Sequence, residues 1–330
     1  MHTDTEVRRH TKRRGWWVVC MLLSCGLAAV GCSQGYVPEA GADADAAGVD
    51  ADPTEDADGD PPNFDDTDGA TPRFDAGDGN GGGDDAGGSN TCTVEGDGII
   101  SRDEVPLEAG LKAIFRVAHD ASVDTRGETS SGGERTWDLT ENYSGDHAEA
   151  IELQSMDGKW FKPDFPDGDY AMKLAGDAEE LGVFQITSDA LLMLGVVSPT
   201  DGSTTTNIEY DPPVKVLDFP LEKGKSWKTE TEASGTHATW SPWTPITYNE
   251  TYTSQVDATG VAKTPHSDLD VLRVRTKLER SAAISGVPLG TIRTFAFVAE
   301  CFGTVATIRS KQGESQTEFD EAAEVRRLSK

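Results

Sequence analysis

From Lys112 to Arg309 the apolar residues recur at every second position, in short runs broken by glycine, proline and aspartate. Leu272, Val274, Thr276 and Leu278 alternate with Arg273, Arg275, Lys277 and Glu279. Further along, Ile292, Ala296 and Val298 oppose Arg293, Phe295 and Phe297, and Val305–Arg309 continues after Gly303. A period of two is the pleat of a β-strand, whose successive side chains point to opposite faces. Leu181–Thr187 and Ala190–Val197 form an apolar pair joined at Ser188-Asp189, and Val214–Leu217 and Ser226–Glu232 flank Pro220 and Gly224. Ile246–Val256 is rich in Thr and Tyr. Turn signals stand at Asp157-Gly158, Asp167-Gly168, Asp201-Gly202 and Ser234-Gly235. Helical spacing is confined to Ser101–Val105 and Thr317–Leu328. The pattern predicts a mainly β protein: a curved antiparallel sheet, half-barrel or sandwich, with one polar and one apolar face. Asp211-Pro212-Pro213 is a place where it could divide into two β subdomains.

Charge locates the part of the chain that folds. The 330 residues carry 58 acids against 29 bases. Residues 33–91 hold 16 of the acids and a single base, Arg73, with only Tyr36, Val37, Val49, Phe64 and Phe74 as large apolar residues. Such a segment cannot bury enough surface to offset its chain entropy, and its like charges extend it. It reads as a disordered acidic tether, residues 32–91, with a span of roughly 40–45 Å by the square-root rule. Asp56–Asp60 and Asp66–Gly69 look like fragments of calcium loops but lack the closing Glu. That leaves the 239 residues from Cys92, with 40 acids and 23 bases, to build the core. So acidic a chain is not expected to bind nucleic acid, which requires a basic face.

Residues 1–15 are basic, and Trp16–Gly31 is apolar over 16 residues. That is short of the roughly 20 residues of a membrane-spanning helix and suits the apolar region of a signal peptide. The run ends in Leu27-Ala28-Ala29-Val30-Gly31-Cys32 and turns polar at once. These residues resemble the lipobox of bacterial lipoproteins, which implies a leader over 1–31 and lipidation of Cys32. Ser33, in place of Asp, implies sorting to the outer membrane, with the lipid as the membrane partner. An ordinary cleaved leader, a retained anchor helix and a twin-arginine signal at Arg13-Arg14 are the alternatives.

Where the tether ends, Thr93–Glu104 falls on the register of a calcium loop. Thr93, Glu95, Asp97, Ile99 (through its carbonyl), Ser101 and Glu104 occupy positions 1, 3, 5, 7, 9 and 12, with Gly98 at the bend and Ile100 at position 8. Alternating oxygens wrap a hard cation, and a terminal carboxylate closes six or seven ligands. The segment resembles EF-hand and dockerin-like loops, and Ca2+ is the cofactor this implies. Thr93 removes a charged ligand, the preceding glycines cannot form an entering helix, and Pro106 stops an exiting one. The competing reading is a turn with Ser101-x-x-Glu104 as a capping box.

With Cys20 and Cys25 lost in the leader, Cys92 and Cys301 remain, and an even pair in an oxidising compartment reads as a disulfide. Two further stretches, Ser130–Leu139 and Tyr210–Trp227, resemble exported bacterial proteins with a curved antiparallel sheet, including lipoprotein-carrier half-barrels. The order of leader, acidic tether, calcium-like loop and β domain resembles myxobacterial-type surface lipoproteins of unknown function.

Signatures of catalysis are missing. There is no Gly-x-Ser-x-Gly elbow or His-Glu-x-x-His, and His119, His147, His237 and His266 are scattered. The leading expectation is a β-rich binding or structural domain that takes a lipid, glycan or protein ligand. Trp160, Trp227, Trp240, Trp243, Tyr248 and Tyr252 could line such a ligand surface, though as a group they read more readily as core and sheet aromatics. The alternative is an exported hydrolase acting on glycans or cell-envelope material through a carboxylate pair such as Asp164/Asp167 or Asp268/Asp270.

Overall fold

A computed structural model describes residues 92–330, apart from Asp177 and Trp240. The leader (1–31), Cys32 and the acidic tether (32–91) lie outside the described residues. The strands, in chain order, are β1 (Ile99–Ile100), β2 (Lys112–Ser122), β3 (Glu128–Thr129), β4 (Arg135–Asp138), β5 (His147–Glu152), β6 (Gln154–Ser155), β7 (Tyr170–Lys173), β8 (Leu181–Ile186) and β9 (Ala190–Val197). They continue with β10 (Asn207–Asp218), β11 (Leu221–Glu222), β12 (Ser226–His237), β13 (Ser241–Lys263), β14 (Asp268–Ala282), β15 (Pro288–Ala299), β16 (Gly303–Ser310) and β17 (Glu321–Leu328). The helical element among the described residues is one 3-10 turn, Arg102–Glu104.

Fifteen strands form one sheet whose main path runs β5-β2-β17-β16-β15-β14-β13-β12-β10-β9-β8-β7-β6. It curls through about 292°, a nearly closed antiparallel barrel. One parallel contact, β4 on β13, hangs the short β3–β4 ribbon on the outside. Side chains bridge the open seam where the backbone ladder stops. Lys173 of β7 pairs with Glu149 of β5 at 2.8 Å, and Gly176 N–H donates to Glu324 of β17 at 2.6 Å.

Three expectations from the sequence are corrected. Thr317–Leu328 ends as strand β17, because its alternate residues Ala322, Glu324 and Arg326 pair across to β2 and bury. Ser234-Gly235 lies within β12, where Gly235 has φ +143° and an added Cβ would sit 1.9 Å from the carbonyl oxygen of Asn207. The glycine serves close strand approach, the other common reason for glycine in a strand. Asp211-Pro212-Pro213 is a register shift between Glu209 and Val214 within β10, so one sheet runs straight through it. Prolines lack the N–H for a ladder and are tolerated at such bulges.

The barrel's inner face is filled. Tyr170 and Phe184 stack there, 5.2 Å apart. Leu191, Met193, Trp227, Tyr248, Leu272, Val274 and Val298 pack into the same cluster. The curved sheet therefore encloses its own core. A second core lies outside, between β14–β17 and the β3–β4 ribbon, around Trp137, Phe295 and Phe297. A third covers β8 and β9 with Phe161 and Phe165.

Charges are built into both layers. Arg273, 1% exposed, donates to both carboxylate oxygens of Asp257 (2.9 and 2.8 Å) and to Glu318 (2.7 and 3.2 Å). Its guanidinium lies 4.3 Å from the Phe295 ring centre and 5.2 Å from that of Trp137. Burial alone would lower its pKa, but the two carboxylates outweigh burial and raise it. Inside the barrel, Glu250 pairs with Arg280 and accepts from the Tyr252 hydroxyl at 2.7 Å. Burial, reinforced by the Glu250 charge, pushes Tyr248 up to about 12 and raises Tyr210 and Tyr252 well above the usual value.

This tyrosine cluster sets an alkaline limit. A group whose folded pKa is raised gives stability that is complete below its unfolded pKa, near 10, and lost as pH rises through the folded value. The melting midpoint is expected to fall steeply between pH 10 and 12, with buried tyrosinate absorbance appearing only as the protein unfolds. Ionisation of all the tyrosines near pH 10 in a still-folded protein would contradict this.

Candidate functional site

The residues from Cys92 to Val105 fold against one end of the barrel. Gly96 and Gly98 have φ +66° and +80°, left-handed values that glycine adopts without penalty, and they bend the chain into a loop. β1 then pairs with β11, Ile99 opposite Glu222 and Ile100 opposite Leu221. Ile100, 3% exposed, enters the barrel core beside Val105, and Leu221 belongs to the same cluster. The loop is thus anchored by its apolar position 8, while its polar residues face outward.

Thr93, Glu95, Asp97, Ile99, Ser101 and Glu104 all line one open cleft of about 420 Å³. The fold therefore gathers the six residues picked by alternate spacing along one concave surface. Their carboxylates have local partners. Asp97 accepts from Ile99 N–H at 2.8 Å, and Glu104 accepts from Ser101 N–H at 2.6 Å, the second being half of a capping box. The other Glu104 oxygen, Oε1, is buried and takes no hydrogen bond. Among the described residues no three His, Cys, Asp or Glu side chains already converge as a metal-binding group. The carboxylates of Glu95, Asp97 and Glu104 would have to swing inward to meet one another around a shared ion.

Two adjacent residues at the β15–β16 turn hold the loop. Cys301 forms the disulfide with Cys92, the residue just before position 1. The N–H of the same Cys301 donates to the carbonyl oxygen of Glu104, position 12, at 2.7 Å. Both ends of the loop are thus tied to one residue. Glu300 clamps the middle, its Oε2 accepting from Glu95 N–H at 2.7 Å and Gly96 N–H at 3.0 Å. Sequence reading missed Glu300; its signal was its place beside a cysteine that pairs with the residue opening the loop.

The other predicted site residues are dispersed. Trp227 and Tyr248 are core residues, Trp160 packs on the third core and Trp243 is 74% exposed. Trp240 lies outside the described residues. His119 and His147 come within 6.0 Å, ring to ring, while His237 and His266 stand elsewhere. Asp164 accepts from the Asn207 side chain at 2.8 Å. The carboxylates whose pKa moves all move down. Hydrogen bonds from Thr140 lower Asp138. At Asp218 partial burial pushes up, but Lys215 and Lys225 outweigh it, and Lys228 lowers Glu230. A glycosidase acid needs the opposite shift.

No family model matches the chain, and no curated protein does. Two solved structures show a distant likeness. One is a candidate lipoprotein from Parabacteroides distasonis (TM-score 0.34, 9% identity, 68% of this chain and 96% of that one). The other is a candidate exported protein with a YmcC-like fold from Bacteroides fragilis (TM-score 0.31, 9% identity, 68% of this chain and 97% of that one). With TM-scores below 0.5, neither defines a shared fold for this chain.

Proposed function

We propose that the protein is a lipid-anchored bacterial envelope protein whose β domain binds or scaffolds, with one calcium ion stiffening its N-terminal loop. Residues 1–31 are the leader, Cys32 is the acylated residue placed at the outer membrane, and residues 32–91 are an acidic tether. The domain from Cys92 to Lys330 is the working part. The observation that carries the calcium reading is the placement of Thr93, Glu95, Asp97, Ile99, Ser101 and Glu104 around one cleft whose two ends are tied to Cys301. The ligands would be those side chains and the Ile99 carbonyl, and the ion would supply the charge that draws the carboxylates together. Only Glu95, Asp97 and Glu104 bring negative charge, so the affinity belongs with extracellular modules, about 10⁻⁴–10⁻³ M.

The anchor has its own test. In cells fed labelled palmitate, the full-length chain is expected to take up label and the Cys32→Ala variant to take up none. Label retained by the variant would contradict the assignment of Cys32.

A further inference from the structure

We infer that the outer face of β13–β15 carries a binding site for one anionic sugar ring, a carboxylated or sulfated residue of an acidic glycan. The site depends on neither the calcium loop nor the lipid anchor.

Cross-strand register builds it. Thr253 of β13 stands opposite Lys277 of β14, and Lys277 opposite Arg293 of β15. In the next row Arg275 stands opposite Phe295. These side chains alternate with Val274 and Ala296 of the inner core and so project from the outside of the barrel. The segment between β16 and β17 supplies the remaining wall. Arg293 donates to the carbonyls of Glu314 (3.3 Å) and Ser315 (3.2 Å), while Glu318 is held by Arg273, and Thr317 is thereby set over the groove.

The result is a cavity of about 150 Å³ lined by Arg275, Lys277, Arg293, Phe295 and the outward-facing Thr253, with Thr317 above it. A cavity of this volume, on the order of 150 Å³, admits one six-membered ring. Its lining holds three cations and no carboxylate, in a chain with twice as many acids as bases. The cations are steadied from the side. Lys277 meets Glu279 at 2.7 Å, and Arg275 donates to the Gln255 side chain at 2.7 Å with Asp257 4.0 Å away. Guanidinium and ammonium groups held in place around a ring-sized space suit a carboxylate or sulfate. Thr253, on the same face as Lys277, and Thr317 of the β16–β17 segment offer donors and acceptors to ring hydroxyls. A neutral sugar would gain nothing from the positive charge of the lining, so selectivity for charge follows.

The test is calorimetric titration of the processed, disulfide-bonded chain with three hexasaccharides: oligogalacturonate, a sulfated galactan and a neutral dextran. One or both anionic probes should bind at least tenfold more tightly than dextran, and which of the two binds distinguishes carboxylate from sulfate. Binding should weaken as salt is raised. The exposed-side variants Arg275→Gln and Lys277→Gln should each lose about tenfold in affinity with unchanged melting midpoints. Equal binding of dextran, no binding of either anionic probe, or full binding by both variants would overturn the site. Inorganic sulfate binding as tightly as the sulfated galactan would also overturn it, because the sugar ring would then contribute nothing.

Discussion

Replacing Cys92 and Cys301 together by serine is expected to lower the unfolding free energy by about 3–5 kcal/mol. The bridge spans 209 residues. In the chain-entropy model, closing so long a loop in the unfolded chain contributes about 5 kcal/mol, an upper bound. The native side adds a specific loss. Without the bridge, the loop keeps its tie at position 12, Cys301 N–H to Glu104, and loses its tie before position 1. The Glu300 clamp on Glu95 and Gly96 then carries the free end alone. Calcium affinity should therefore fall at least tenfold, since the ligands at positions 1, 3 and 5 must be ordered on binding. Thermal melts of wild type and double variant, each with calcium and with chelator, separate the two effects. A stability loss under about 1 kcal/mol would show that the bridge closes nothing the fold has not already closed.

Arg273→Met is expected to cost about 3 kcal/mol, at the lower end of the range for breaking a buried ion pair, because Asp257 and Glu318 are partly solvated. Methionine fills the stem's space between Phe295 and Trp137 but leaves two carboxylates facing an apolar layer. It also removes the donor to the carbonyl of Thr125, which ties the outer ribbon to the barrel. The loss should appear mainly as release of residues 123–141 and 311–320. Hydrogen exchange should quicken there before it does in β8–β10. A uniform rise across the sheet, or a cost under about 1 kcal/mol, would contradict this role for Arg273.

The strands themselves were legible because a half-buried antiparallel strand writes its two faces into alternate residues, as Leu272–Glu279 does. The curl was legible only as a class, half-barrel or sandwich. Closure depends on pairs far apart in sequence, such as Lys173 with Glu149 and Gly176 with Glu324. Thr317–Leu328 misled because Ala322, Val325 and Leu328 fit helical spacing as well as a strand buried on both faces. In the Thr93–Glu104 loop the inward place of Ile100 was visible, since one apolar residue among polar neighbours turns to the core, and Ile100 is buried. Its clamp was not visible, because Glu300 reaches Glu95 across 205 residues. The groove of Arg275, Lys277 and Arg293 needs the β14–β15 register, which no local pattern specifies.

Calcium titration of the processed, disulfide-bonded chain, followed by calorimetry, tests the central claim most directly. One site is predicted, with a dissociation constant of about 10⁻⁴–10⁻³ M. Its heat should vanish in Glu104→Gln while the variant keeps its barrel. No heat at millimolar calcium in the wild type, or the same heat in Glu104→Gln, would mean that the loop is a structural turn and not a cation site.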